Sequence, residues 1–208
     1  MTAPHRWSEE TLARARDLIA RYPERRSALM PLLYLAMAEE GHLTEAGMET
    51  VAELLGITPA QVLSVASFYT MYKREPVGRY LISCCTSISC HLLGSDELLA
   101  AIEDEAGVPA GETDPDRLIT VESVECIGAC GGAPAVQVNY ETVEGVDPEA
   151  GRELVRWLRK ARPEVIVADE LQTLFGGRTG FDWAIPDDEG AVGPYPAFGP
   201  LGTAGRES

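Results

Sequence analysis

Four of the five cysteines in this chain fall in two close pairs, Cys85-x4-Cys90 and Cys126-x3-Cys130, with residues 91–125 between them. Each pair follows a short β-like run, where a strand hands its side chains to a loop. Thiolates so placed can hold a metal centre assembled from two loops. Cysteine thiolates are the usual ligands of iron–sulfur clusters, four of them for [2Fe–2S]. Each iron of such a cluster carries two bridging sulfides and needs two protein thiolates. The natural division is Cys85 and Cys90 on one iron, Cys126 and Cys130 on the other. Ser87, Ser89, Gly128, Ala129, Gly131, Gly132 and Ala133 are small enough for backbone N–H groups to approach sulfur, which tunes a cluster. Gly131 and Gly132 are expected to supply positive φ angles, and Pro134 to end the loop.

Other chemistries compete for the same residues. Structural zinc could use four thiolates, but its usual hooks are C-x2-C. A thioredoxin-type dithiol needs a C-x-x-C pair, and the sequence has none. Two structural disulfides suit an oxidising compartment. A Rieske-type centre needs two histidines. Of His5, His42 and His91 only His91 adjoins a cysteine, and it reads as a surface residue at a helix start. Cys84 could replace Cys85 as a ligand. Strand alternation, however, puts Tyr80, Ile82 and Cys84 on one face and Leu81, Ser83 and Cys85 on the other. Cys84 is therefore read as a buried, inert strand residue.

Charge narrows the partners. Lys and Arg number 17 against 33 Asp and Glu, a formal charge of −16. Nucleic-acid binding rests on basic side chains that neutralise phosphates, so neither a nucleic acid nor an anionic membrane surface is expected. No apolar run approaches the roughly 18 residues of a membrane-spanning helix, and Met1 to Ser8 lacks the apolar stretch of a signal peptide. These features imply a cytoplasmic chain with thiols kept reduced unless metal-bound. Most of the acidic residues are read as solvated surface. Glu122, Glu125 and Asp96 would oppose an added electron if they stood close to the cysteines.

The elements that must position the cysteines can be read in order. Ser8 caps a helix over Glu9–Tyr22. A strongly apolar helix runs through Leu29–Met37 and ends near Gly41, with Pro31 in its first turn. Thr44 caps a third that stops at Gly56. Thr58-Pro59-Ala60-Gln61 is a capping box with proline at the first helical position. Residues 1–76 therefore form a helical bundle. The pattern changes at Pro76-Val77-Gly78. Arg79–Cys84 and Leu118–Val121 read as strands, and Ala135–Val138 with Thr142–Val143 as a hairpin. A helix lies between the first two strands, and a last one runs from Asp147-Pro148 to Ala161. The fold class is α/β, with a β-α-β-β-β-α domain over 77–165. Residues 166–208 form an acidic, Gly/Pro-rich arm, expected to be mostly irregular. The aromatics Phe175, Phe181, Trp183, Tyr195 and Phe198 suggest that part of it lies along a partner.

These motifs together carry a family resemblance. Cys85-Thr86 with Cys90, then Cys126-x-Gly-Ala-Cys130 and Ala-Pro, resembles the thioredoxin-like [2Fe–2S] E subunits of bacterial NADH:quinone oxidoreductase, respiratory complex I. Met30-Pro31-Leu32-Leu33, Val65-Ala66-Ser67-Phe68-Tyr69-Thr70-Met71-Tyr72 and Pro76-Val77-Gly78 match as well, so the likeness covers about residues 10–165. It implies a thioredoxin-like [2Fe–2S] ferredoxin domain whose ligands are Cys85, Cys90, Cys126 and Cys130. It further implies one-electron transfer beside a flavoprotein subunit that binds FMN and NADH, within a complex at the cytoplasmic side of the inner membrane. The chain itself lacks the Gly-x-Gly-x-x-Gly turn of a dinucleotide site. The departures are Cys84, where the family commonly has an aliphatic residue, and the tail, which matches no pattern. Two alternatives stay open: an equivalent subunit of an NAD-linked hydrogenase or formate dehydrogenase, and a zinc-stabilised interaction module with no redox role.

Overall fold

The computed structural model describes residues 7–178 together with Gly180 and Gly193. They cluster into two compact units, one ending at Pro76 and one beginning at Val77. Among the described residues, no single helix is long and apolar enough to cross a membrane.

The first unit is helical because its capping residues fall where helices must begin and end. Helix α1 (Glu9–Ala20) starts at Ser8, whose hydroxyl accepts from Thr11 N at 3.1 Å, with Glu9 and Glu10 in the dipole-favoured first turn. A 3₁₀ turn over Arg25–Ala28 leads into α2 (Leu29–Glu40), which ends at left-handed Gly41. Helix α3 (Glu45–Leu55) is capped by Thr44 and stops at left-handed Gly56. Helix α4 (Pro59–Phe68) opens on the reciprocal Thr58/Gln61 capping box. The apolar α2 buries Leu32, Leu33, Leu35, Ala36 and Met37, as a bundle's central helix must. The Tyr72 hydroxyl donates to Met30 O at 3.1 Å, and its ring packs on Tyr34 with centroids 5.1 Å apart.

The second unit is an α/β sandwich on a four-stranded sheet. Strand β1 (Tyr80–Cys85) is followed by the short helix α5 (Ile88–Leu92) and by α6 (Ser95–Ala106). The sequence suggested one helix here. Gly94, at φ +97°, breaks it in two, so His91 lies in the last turn of α5 rather than at a helix start. Strand β2 (Ile119–Val124) runs parallel to β1, and the hairpin β3 (Ala135–Val138) and β4 (Glu141–Glu144) completes the order β2-β1-β3-β4. The hairpin turns through Asn139 and Tyr140, both at positive φ, as a two-residue hairpin demands. Buried Asn139 also receives Leu81 N on its Oδ1 at 2.8 Å and donates to Arg79 O at 3.2 Å, which fixes β1 against the turn. Helix α7 (Pro148–Ala161) packs with α6 against one sheet face. Leu98, Ile102, Val121, Val136, Leu154 and Leu158 meet there.

Residues 168–175, expected to be irregular, form a further helix α8 (Ala168–Phe175). Its Leu171 and Phe175, with Ile166 before it, join the same core, and Phe175 packs on Trp157 at 5.5 Å between centroids. The apolar pattern that buries α8 is only two turns long, too short to stand out from a glycine- and proline-rich stretch. Phe181, Trp183, Tyr195 and Phe198 lie outside the described residues.

One buried carboxylate ties the crossover to the sheet. Asp114, 4% exposed, accepts from Leu118 N at 2.7 Å and Ile119 N at 3.1 Å, and faces Arg159 Nη2 at 3.5 Å. Asp114→Ala strands those donors in an apolar setting. It should cost about 2–4 kcal/mol of unfolding free energy in a urea titration; Asp114→Asn, which keeps an acceptor oxygen, should cost less.

Candidate metal centre

The two cysteine pairs meet because β1 and β2 are parallel neighbours and end at the same edge of the sheet. Cys85, the last residue of β1, stands in register with Val124, the last of β2. The carboxyl ends of parallel strands are where α/β sheets place their sites. Beyond that edge the chains stay stapled. Thr86 N donates to Val124 O at 3.0 Å, and the Ser87 hydroxyl donates to the Glu125 carboxylate at 2.9 Å. Glu125 is thus held at the site, and Glu122 accepts from the Ser83 hydroxyl at 2.6 Å. Asp96 faces His91 Nδ1 at 3.1 Å.

Alternation along β1 separates the adjacent cysteines. Cys84 points into the main core with Tyr80 and Ile82. Burial, then the nearby thiols of Cys85 and Cys90, push its thiol up to about 12. Cys85 lies on the other face, where it packs with Cys90, Ala133 and Ala135. Cys85 and Cys90 are both 2% exposed, whereas Cys126 and Cys130 are exposed. Burial raises the Cys90 thiol to about 11, a backbone hydrogen bond at Ala135 lowers it in part, and Cys85 and Cys130 raise it further.

The second pair is closed on itself, with Cys126 Sγ and Cys130 Sγ 3.4 Å apart. A backbone hydrogen bond from Gly128, then the Cys130 thiol, pull the Cys126 thiol down. The Cys130 thiol goes up, chiefly because it shares a hydrogen bond with Cys126, and it also feels Ser89 and Cys85. Cys85, Cys90 and Cys130 thus feel one another electrostatically, and Cys126 joins them through its contact with Cys130. The positive φ of this loop belongs to Gly128, at +91°. Gly131 and Gly132, expected to supply it, sit instead in a 3₁₀ turn over Cys130–Gly132.

A single metal ion needs its ligands gathered about one point. Among the described residues no three His, Cys, Asp or Glu side chains are so gathered. The thiols come as two pairs from two stapled loops. Four sulfur donors in twos, small side chains and the backbone hydrogen bonds of Gly128 and Ala135 to sulfur fit a two-iron cluster.

Fold and thiols thus define a ferredoxin-like class in which a thioredoxin-type sheet presents two cysteine loops. The thioredoxin-like [2Fe-2S] ferredoxin family matches residues 15–159, and the chain belongs to it. Its cofactor is a [2Fe–2S] cluster. The chain is 41% identical over 199 residues to the E subunit of the NADH-quinone oxidoreductase of Mycobacterium bovis, across 92% of this chain and 79% of that one. It is 42% identical over 127 residues to NADH-quinone oxidoreductase subunit 2 of Thermus thermophilus, across 60% of this chain and 70% of the relative. Among solved structures, an NAD+-reducing [NiFe]-hydrogenase in the H2-reduced state shares the fold, with a TM-score of 0.56 at 20% identity. The match spans 64% of this chain and 22% of the hydrogenase chain.

Sequence reasoning named Ser89 only for its small size and missed its hydroxyl as a hydrogen-bond partner of Cys130, and it missed the Ala135 backbone beside Cys90. It also missed Glu144 and Gly180, which pack behind Cys130. Their contacts join segments far apart in sequence, and no spacing rule signals them.

Proposed function

We propose that this chain is the [2Fe–2S] electron-transfer component of an NADH:quinone oxidoreductase, with Cys85, Cys90, Cys126 and Cys130 as cluster ligands. The observation that carries the ligand set is the meeting of both pairs at one sheet edge, with Cys84 turned into the core. The family membership and the two oxidoreductase relatives support the assembly.

When bound, the cluster supplies one-electron redox chemistry. The residues supply the rest. Cys85 and Cys90 would hold the cluster from a dry pocket, where Ala133 and Ala135 exclude water. Cys126 and Cys130 lie at the surface, where a partner can approach. Gly128 and Ala135 direct backbone hydrogen bonds at the sulfurs, and such bonds to the charged form stabilise it. The anchored Glu125 carboxylate disfavours added negative charge, an effect limited by screening at the surface.

The partner is a larger flavoprotein subunit carrying FMN and NADH, and the complex places the chain at the cytoplasmic side of the inner membrane. Helix α5, which carries Cys90, supports a docking rim: Ile88 is 71% and Leu92 73% exposed, with Leu93 exposed beside them. Large apolar side chains clustered this way mark interaction surfaces. Leu92→Asp should reduce co-purification of the flavoprotein by on the order of tenfold, consistent with a buried contact of roughly 1.5–3 kcal/mol. Quantitative mass spectrometry of the affinity-purified complex reads this, and the cluster signal should persist.

The deciding experiment is anaerobic purification of the chain for iron, sulfide and zinc analysis, together with subunit analysis of the native assembly. Two irons and two sulfides per chain, with FMN and quinone-site subunits, are expected. A nickel or molybdenum subunit would reassign the chain to a hydrogenase or formate dehydrogenase. A colourless, EPR-silent preparation with stoichiometric zinc would make it a structural module.

A further inference from the structure

Three segments interlock immediately after Cys130. They are the Cys130–Gly132 turn, the end of β4 at Glu144-Gly145, and the stretch after α8 that carries Gly177, Arg178 and Gly180. Gly145 N donates to Gly132 O at 2.6 Å, and Gly177 N to Glu144 O at 3.1 Å. Gln172 clamps the backbone of Glu144 from both sides, accepting from its N at 2.8 Å and donating to its O at 3.1 Å. The Glu144 carboxylate accepts from Gly180 N.

The glycines in this lock have no room for a side chain. A Cβ on Gly132 would strike the Glu144 carboxylate, and one on Gly145 the backbone of Arg178. A Cβ on Gly177 would lie 2.6 Å from Gly145 O, and one on Gly180 would lie 3.0 Å from Gly132 N and 3.1 Å from Gly131 C. Gly131 and Gly132 have ordinary negative φ. Close approach, not backbone conformation, therefore accounts for their being glycine.

The turn needs this support. It lies between β2 and β3, outside the sheet ladder, as a short 3₁₀ turn in which Gly132 N donates to Ala129 O at 3.2 Å. The thiols it carries are the exposed ones.

We propose that the segment carrying Gly177 and Gly180, seated on Glu144, is a strap that positions the Cys130 loop: Gly180 and Glu144 hold the backbone behind Cys130 and so govern how firmly the exposed thiol pair grips its cluster. This rests on the reading of Cys126 and Cys130 as ligands. Supporting groups behind a metal ligand commonly change metal retention by about 10–100-fold.

The test uses the full-length chain. Gly180 lies beyond Phe175, the last described core residue, so Gly180→Leu leaves the core intact. In the cluster-loaded protein, Gly180→Leu and Glu144→Leu should each release iron to a chelator at least about tenfold faster than wild type. Their reduced-state g values should shift as well. Glu144→Gln, which keeps an oxygen to accept from Gly180 N, should retain iron much as wild type does. In the metal-free protein, both leucine variants should speed alkylation of Cys126 and Cys130 by iodoacetamide, mapped by mass spectrometry, and leave Cys85 and Cys90 unchanged. Wild-type chelation rates, g values and alkylation in both leucine variants would overturn the strap. A wild-type chain that holds no cluster would sink the ligand reading instead, and the alkylation rates would still decide the strap.

Discussion

Cys130→Ala should abolish the reduced-state [2Fe–2S] EPR signal of the anaerobically purified chain, and Cys126→Ala should do the same. Alanine offers no donor atom, so one iron would be left with a single protein thiolate. Among the described residues the fifth cysteine, Cys84, is buried in the core on the other face of β1, and the nearby oxygen donors, Ser89 and Glu125, are much weaker ligands for this cluster than a thiolate. Iron content should fall by more than the roughly 10–100-fold that accompanies loss of a mere supporting group. The exposed pair faces solvent, so the damaged site should lose its remaining iron to chelators within the preparation. Full iron and sulfide occupancy in both variants would reject the second pair as ligands. The helical unit ending at Pro76 contributes no cysteine and should melt unchanged in either variant.

The second large effect separates two neighbouring cysteines. Cys85→Ala should lose the cluster, whereas Cys84→Ser should keep its EPR signal and lose stability alone. Cys84 is fully buried among Tyr80, Ile82, Leu98 and Val136, and its thiol donates to Ser95 O over a long 4.0 Å. The shorter reach of a hydroxyl draws it back from that carbonyl in an apolar setting, so the substitution should cost about 1–3 kcal/mol. In a domain of this size each kcal/mol lowers Tm by about 4–8 °C. The contrast has a clear reversal. If Cys84→Ser loses the signal and Cys85→Ala is harmless, then β1 presents its faces the other way round.

The cysteine pairs, the capped helices of the first unit and the strand alternation at Cys84 and Cys85 were all legible in the sequence, because each depends on neighbours a few residues apart. Thr58 to Gln61 announces a helix by the bonds it makes within one turn. Alternation is a period of two, so the side of β1 on which each cysteine falls needs no knowledge of what lies there. Helix α8 was not legible: Leu171 and Phe175 gain their stability from Trp157 and the sheet, and a two-turn apolar pattern carries little weight alone. The split between α5 and α6 was missed because apolar residues continue across Gly94 at helical spacing.

The sequence alone determined the candidate donor set, the acidic composition and the α/β order, since residue type and local spacing are sufficient for each. Tertiary structure decided how the two pairs find one another. Parallel pairing brings the ends of β1 and β2 to one edge, and residues 91–125 give no local hint of it. It also decided which pair is buried and why Gly131 and Gly132 are glycine. The first depends on Ala133 and Ala135 packing over Cys85 and Cys90, the second on Glu144 and Gly180 arriving from elsewhere in the chain, and such contacts with distant segments leave no periodic trace in the sequence.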